Sequence, residues 1–221
     1  MNNLFSMDNK FFTFMNKVAD LIILNILWLI CCIPIVTAGA STTALFYSTI
    51  KLVRGEESYV SKDFFKSFRE NLKQGILIWL IMLLAGLIIG ADFYILYVSD
   101  ISYKIYILPV FLFIALIYYI ILLYIFPLLS KFENTTKNMF KNALLIGIRN
   151  LPLTILLGIF TGIIAVTAYI FVALIPLWLF LGVALAAYLA SFIYSKIFEK
   201  IILSNDEADK DDKEGQDDKT E

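Results

Sequence analysis

Apolar positions run along this chain in five long stretches, and polar positions gather in the short segments between them. The stretches are Val18–Val53, Gly75–Val98, Ile105–Leu129, Leu151–Leu174 and Leu177–Tyr194. They are continuously apolar rather than alternating with a period of two. That pattern predicts buried or lipid-facing helices, not barrel strands. Crossing a bilayer takes about 18–20 such residues.

The first stretch is too long for one crossing. A helix over its 36 residues would extend about 54 Å, against a hydrocarbon core of about 30 Å. Pro34 lacks an amide proton and disfavours a helical Ile33. Thr37 and Ser41 are candidate N-caps, and Gly39 tolerates a tight turn. The expectation is a hairpin of two short helices, about 18–33 and 36–53, with Cys31–Ser41 as an outer turn. The remaining spans fall at about 75–98, 105–129, 151–174 and 177–194. Residues 1–200 thus form one all-α polytopic bundle of six transmembrane helices. Five is the alternative, because each hairpin arm is short.

Charge orients the bundle. Segment 54–74 carries Arg54, Lys62, Lys66, Arg69 and Lys73, and segment 130–150 carries Lys131, Lys137, Lys141 and Arg149. Segment 99–104 has only Lys104, and the turn at Pro176 has no cation. Basic loops stay on the cytoplasmic side. Both termini are therefore expected there, with Lys10 and Lys17 before the first helix and Lys196 and Lys200 after the last. Tyr94, Tyr97, Tyr103 and Tyr106 cluster at the opposite loop, as headgroup-level aromatics do. Ala38-Gly39-Ala40 fits a leader-cleavage pattern, but a hairpin turn accounts for the same small residues.

Composition agrees with a membrane protein. The chain is 60% hydrophobic and 17% charged, against about 25% charged in soluble domains. Its net charge of −1 hides a basic body and an acidic tail; Asn205–Glu221 holds nine of the acidic residues and three of the basic ones. Residues 201–221 are expected to be a disordered tail, a solvated terminus or a partner-docking one. There is no histidine, and the only cysteines are the adjacent Cys31 and Cys32. These facts disfavour a His-dependent triad, a disulfide framework and a metal site.

Segment Ser61–Gln74 is amphipathic, with Phe64, Phe68 and Leu72 on one face, Phe65 beside them, and Lys62, Lys66, Arg69 and Lys73 elsewhere. It is expected to lie in the inner interface, phenylalanines in the acyl boundary and cations toward anionic lipid. "KDFFK" (Lys62–Lys66) is echoed by "KNMFK" (Lys137–Lys141), and each precedes a span with a paired glycine, Gly86 and Gly90 or Gly158 and Gly162. This suggests a parallel internal repeat. The glycines are candidate helix contacts, within the chain or in a homo-oligomer.

Intramembrane polar groups are the first place to look for function. Asn25, Thr37, Ser41, Thr42 and Thr43 form the candidate cluster, although Ser and Thr can bond their own backbone. Asp20 and Asp92 lie at opposite predicted faces and do not make a catalytic pair. "NALLIGIRNLP" (Asn142–Pro152) matches an ABC-permease coupling loop only weakly. No nucleotide-binding glycine loop is present. No catalytic residue, cofactor, metal or nucleic-acid partner is expected.

The segment "ADLIILNILWLICCIPIVTAGASTTALFYSTIKLVRGEESYVSKDFFKSFRENLKQG" (Ala19–Gly75), with "NLPLT" (Asn150–Thr154), resembles a bacterial membrane family of unknown function typified by YesL. The resemblance implies a small multispanning protein of the plasma membrane, linked to carbohydrate uptake. It implies no site residue. Two function classes follow: an accessory or partner component of a carbohydrate transporter, or a small solute transporter or channel acting alone.

Overall fold

The computed structural model describes residues 10–56, 59–98, 104–170 and 182–217, with side chains of the last segment described as far as Leu203. Among the described residues it is all-helical. In chain order the helices are α1 (Lys10–Cys32), α2 (Ala38–Arg54), α3 (Val60–Glu70), α4 (Leu72–Val98), α5 (Lys104–Lys131), α6 (Thr136–Arg149), α7 (Leu151–Ile170) and α8 (Val183–Asp217). Three described stretches are long and apolar enough to cross a membrane: Phe12–Cys32, Leu72–Val98 and Tyr106–Lys131. A fourth is reached if Thr136–Arg149 and Leu151–Thr167, bent by 100°, act as one span. The start of the expected 177–194 span lies outside the described residues.

Pro34 ends the first helix as its chemistry requires. Its backbone is extended, a 3₁₀ turn at Ile35–Thr37 follows, and α2 then runs back along α1. The expected caps act differently. Thr37 makes no side-chain cap; its hydroxyl donates back to the Cys31 carbonyl at 2.6 Å and the Pro34 carbonyl at 2.7 Å. Ser41 lies inside α2.

α2 is the hub. It packs against α1, α3, α4, α5 and α8. Leu24, Ala44, Leu45, Phe64, Ala184 and Ala187 make one buried cluster over α1, α2, α3 and α8. A larger one surrounds α5 from Ile120 to Leu129 and draws in Ile50, Ile78, Met139, Leu157, Tyr194 and Phe198. The outward faces of α4, α5 and α7 carry exposed Leu, Ile and Phe, including Leu84, Leu87, Phe113 and Ile159.

The contacts of α2 differ from those of a face-to-face hairpin arm. Its start meets the start of α4, where a Cβ on Gly75 would lie 2.8 Å from the Ala40 Cα. The Trp79 indole donates to the Ile35 carbonyl at 2.8 Å. Its other end, at Lys51 and Arg54, shares a cleft with Ser130 and Lys131 at the end of α5. Both ends of α2 therefore lie near the basic ends of α4 and α5. The turn expected on the far face sits about two turns into α4 from that basic end.

The α3–α4 and α6–α7 junctions are the same joint. Asn71 donates from backbone N and from Nδ2 to the Ser67 carbonyl; Asn150 does both to the Ile146 carbonyl. Gly75 N then bonds the Asn71 carbonyl, and Thr154 N the Asn150 carbonyl. The element the two halves share is thus this hydrogen-bonded joint, in a different register from the one the lysines suggest. Lys66 lies five residues before Asn71, and Lys141 nine before Asn150.

The tail also departs from expectation, because α8 continues to Asp217. Extending a helix that is already nucleated avoids the costly first turn.

A Cβ at position 39 would strike the Gly75 carbonyl and lie 2.6 Å from the Trp79 Cβ, whereas one at position 90 meets nothing within 4 Å. Gly39→Ala should therefore cost about 1–3 kcal/mol by overpacking. Gly90→Ala should cost nothing. Thermal melting of the two variants in mild detergent separates them, and equal melting would contradict the close approach.

Candidate functional site

The polar cluster anticipated in the first two helices is distributed along their seam. Asn25 is fully buried, and its Oδ1 accepts from the Ala184 amide at 2.8 Å. Ser41 donates to the Trp28 carbonyl at 3.0 Å, and the Trp28 indole donates to Thr42 at 3.2 Å. Thr43 turns inward on its own helix and donates to the Gly39 carbonyl. Ser48 and Thr49 do the same to Ala44 and Leu45, and Thr49 also bonds Ser191 of α8 at 2.8 Å. These groups join α1, α2 and α8; they do not converge on one point. Among the described residues, no buried side-chain nitrogen or oxygen lacks a partner.

The glycines divide. Gly86 makes room for Tyr118, whose hydroxyl donates to the Met82 carbonyl at 3.0 Å. Gly158 is in ordinary contact with Tyr119. A Cβ at Gly90 or Gly162 would meet nothing. The glycines at true close approaches are Gly39, Gly75 and Gly147, the last set against Ile120 and Tyr124.

The amphipathic α3 is present, but its phenylalanine stripe meets protein. Phe64 is fully buried with Leu24, Leu45 and Ala184, and Phe68 packs on the same cluster. Phe65 stays exposed, as do Lys62, Lys66 and Arg69. An apolar helix face records that it needs an apolar partner, not whether that partner is lipid or another helix. The expected cap Ser61 lies inside α3, behind an N-cap at Tyr59.

Sequence reasoning missed two constellations. In the first, Lys51 Nζ sits 3.1 Å from both Asp63 carboxylate oxygens, 3.9 Å from Glu56, and over the Tyr47 ring. Asp63 reads from sequence as a first-turn acid of α3. Only the return of α3 along α2 brings it to Lys51. In the second, Pro127 inside α5 removes the amide that would bond the Leu123 carbonyl. The buried Tyr194 hydroxyl of α8 donates to that carbonyl at 2.7 Å. Tyr124 bonds Thr154 at 2.8 Å, and Thr154 donates to the Gly147 carbonyl, tying α7 to the α6 joint. A proline within an apolar run is a sequence mark of such a freed carbonyl; the tyrosine that fills it is not marked.

Asp20 lies in α1 and Asp92 near the end of α4. Cys31 and Cys32 are free thiols. Among the described residues, no three Cys, Asp or Glu side chains gather at metal-binding spacing.

Fold and interior together define an all-helical protein with helices suited to a membrane and a hydrogen-bonded helical hub. Residues 21–93 match the model of a family described as a protein of unknown function, DUF624. The match takes in most of α1, all of α2 and α3, and α4 as far as Phe93. The chain is similar to that family over less than half its length. No curated protein and no solved structure matches it.

Tyr194→Phe should cost about 1–3 kcal/mol by leaving the Leu123 carbonyl unpaired. In a Pro127→Ala background the restored amide can take that carbonyl, so the same substitution should cost much less. Unfolding measured for both singles and the double tests this. Equal penalties in the two backgrounds would refute the compensation.

Proposed function

We propose that the protein is a multi-pass component of the bacterial plasma membrane that serves as an accessory or partner to a carbohydrate-uptake system, with no catalytic step of its own. The carrying observation is that α3 and α6 each bury one apolar stripe within the protein. Phe64 is buried against α1, α2 and α8, and Met139 and Ala143 are buried in the cluster around α5. Their cations, Lys62, Lys66 and Arg69 on one and Lys137, Lys141 and Arg149 on the other, stay exposed. Two cationic helices that also leave Phe65, Leu145 and Ile148 exposed favour a surface for anionic lipid and for a partner subunit. The Gln74 amide, 2.8 Å from the Asn134 carbonyl, ties the α3–α4 joint to the α5–α6 connection. The carbohydrate link comes from the family resemblance alone.

A small transporter acting alone is the second reading, favoured by the hydroxyls of α2. Their engagement with backbone carbonyls, with Trp28 and with Ser191 favours a packing role for them instead.

The basic segments and both termini belong on the cytoplasmic side by the positive-inside rule. With both ends of α2 near the basic ends of α4 and α5, we read α1–α2 as a re-entrant hairpin. It enters from and returns to the cytoplasm, and α4, α5, α7 and the span expected over 177–194, whose start lies outside the described residues, make the full crossings. Six full crossings is the arrangement it replaces.

Purification of the full chain from its own membrane in mild detergent should retain a sugar-permease subunit at fixed stoichiometry. The lone protein in liposomes should not accelerate sugar flux; flux without a partner would establish the transporter reading. For topology, a single cysteine at Val36 in a Cys31/Cys32-free background should resist an impermeant thiol reagent applied outside the cell. Labelling from outside would instead require six crossings.

A further inference from the structure

The ends of α2 and α5 enclose a small cleft of about 70 Å³, lined by Tyr47, Ile50, Lys51, Arg54, Glu56, Ser130 and Lys131. Three cations from two helices converge there. Lys51 is already engaged by the Asp63 carboxylate. Among the described residues, neither Arg54 nor Lys131 has a carboxylate at salt-bridge distance. Lys131 is within electrostatic reach of Arg54 and Lys51 as like charges, with Glu56 the one opposing acid among its influences.

Helix polarity explains part of this. Arg54 and Lys131 stand at helix C-termini, where unpaired carbonyls attract cations. At α2, however, that demand is already met by the backbone. Gly55, at φ 69°, donates its amide to the Leu52 carbonyl, and the Glu56 amide donates to that of Lys51. Helix polarity also does not require the two cations to share one cleft. Like charges held together raise the local potential and favour a bound anion.

We propose that this cleft binds a phosphate group between Arg54 and Lys131. The planar guanidinium offers paired donors that match phosphate oxygens, and the lysine supplies a point charge. The Tyr47 hydroxyl is available on the same wall. The cleft has room for one tetrahedral group, with the rest of a larger molecule outside it. The group arrives either as the headgroup of a membrane phospholipid or as free phosphate. This inference does not rest on the accessory role.

The test uses the full chain, delipidated in a phosphate-free maltoside detergent. Its melting temperature is followed while inorganic phosphate, or short-chain phosphatidylglycerol, is titrated at constant ionic strength against chloride. A saturable rise with inorganic phosphate assigns the site to the free anion, and a rise with the phospholipid alone assigns it to a headgroup. No saturable rise with either overturns the proposal, and this arm needs no variant. Arg54→Gln and Lys131→Gln should each raise the half-saturating concentration about tenfold, the loss of one charge-assisted hydrogen bond. Undiminished binding in both variants would place the anion elsewhere and overturn it. Without ligand, Lys131→Gln should melt no lower than the parent, because a repulsion is relieved. A lower melting point would assign Lys131 to holding the end of α5 and would also overturn it.

Discussion

The structure depends on how closely α2 can approach its neighbours. At Gly39 and Ala40 the helix meets Gly75 at distances that leave no room for another Cβ. In lipid the hydrophobic effect does not draw helices together, so contact area and small residues must. α2 supplies them in series, with Gly39, Ala40, Ser41, Thr43, Ala44 and Ser48 all buried. Five helices can surround so slender an element; a leucine-rich helix in its place would hold them apart.

From that hub the fold is built twice by one device. A helix, a shorter helix running back along it, and an asparagine that closes the joint launch the next long helix. In the first unit the returning helix is α3, anchored by Phe64 and by the Lys51–Asp63 pair. In the second it is α6, anchored by Met139, Ala143 and Gly147 against α5. The units solve the bend alike, since Asn71 and Asn150 each cap the carbonyl four residues back. Their anchors share no residue types, so sequence similarity between the halves is faint although the geometry recurs.

Helix positions were legible because they follow from apolar runs and from Pro34, whose effect is local. The depth of the first hairpin was not. The length argument assumes that every apolar helix runs from face to face, whereas the start of α2 meets the start of α4 and its other end meets the end of α5. The face of α3 was legible, but its partner was not, since Phe64 satisfies the same periodicity against lipid or against Leu24 and Leu45. Glycine spacing pointed to Gly86 and Gly158, which lie against Tyr118 and Tyr119, but also to Gly90 and Gly162, which meet nothing, and it passed over Gly75 and Gly147. A spacing motif marks a smooth helix face without saying that a helix lies on it. Asp63 with Lys51, and Arg54 with Lys131, join positions whose proximity only the tertiary fold creates.

The hydroxyls of α2 illustrate why polarity alone does not set a helix's place in a membrane protein. Thr43, Ser48 and Thr49 bond carbonyls one turn back, so each carries its partner with it and would be satisfied in lipid as well. What ties the helices to one another is the set of groups that cannot be satisfied within their own helix. Asn25 accepts from the amide of Ala184, and the Trp28 indole donates to Thr42. The Leu123 carbonyl, stripped of its partner by Pro127, needs Tyr194. One joins the consecutive helices α1 and α2, and the other two join α1 and α5 to the distant α8. The last helix therefore completes an interior that the earlier ones leave unpaired, which makes α8 a condition of the native packing rather than an appendage to it.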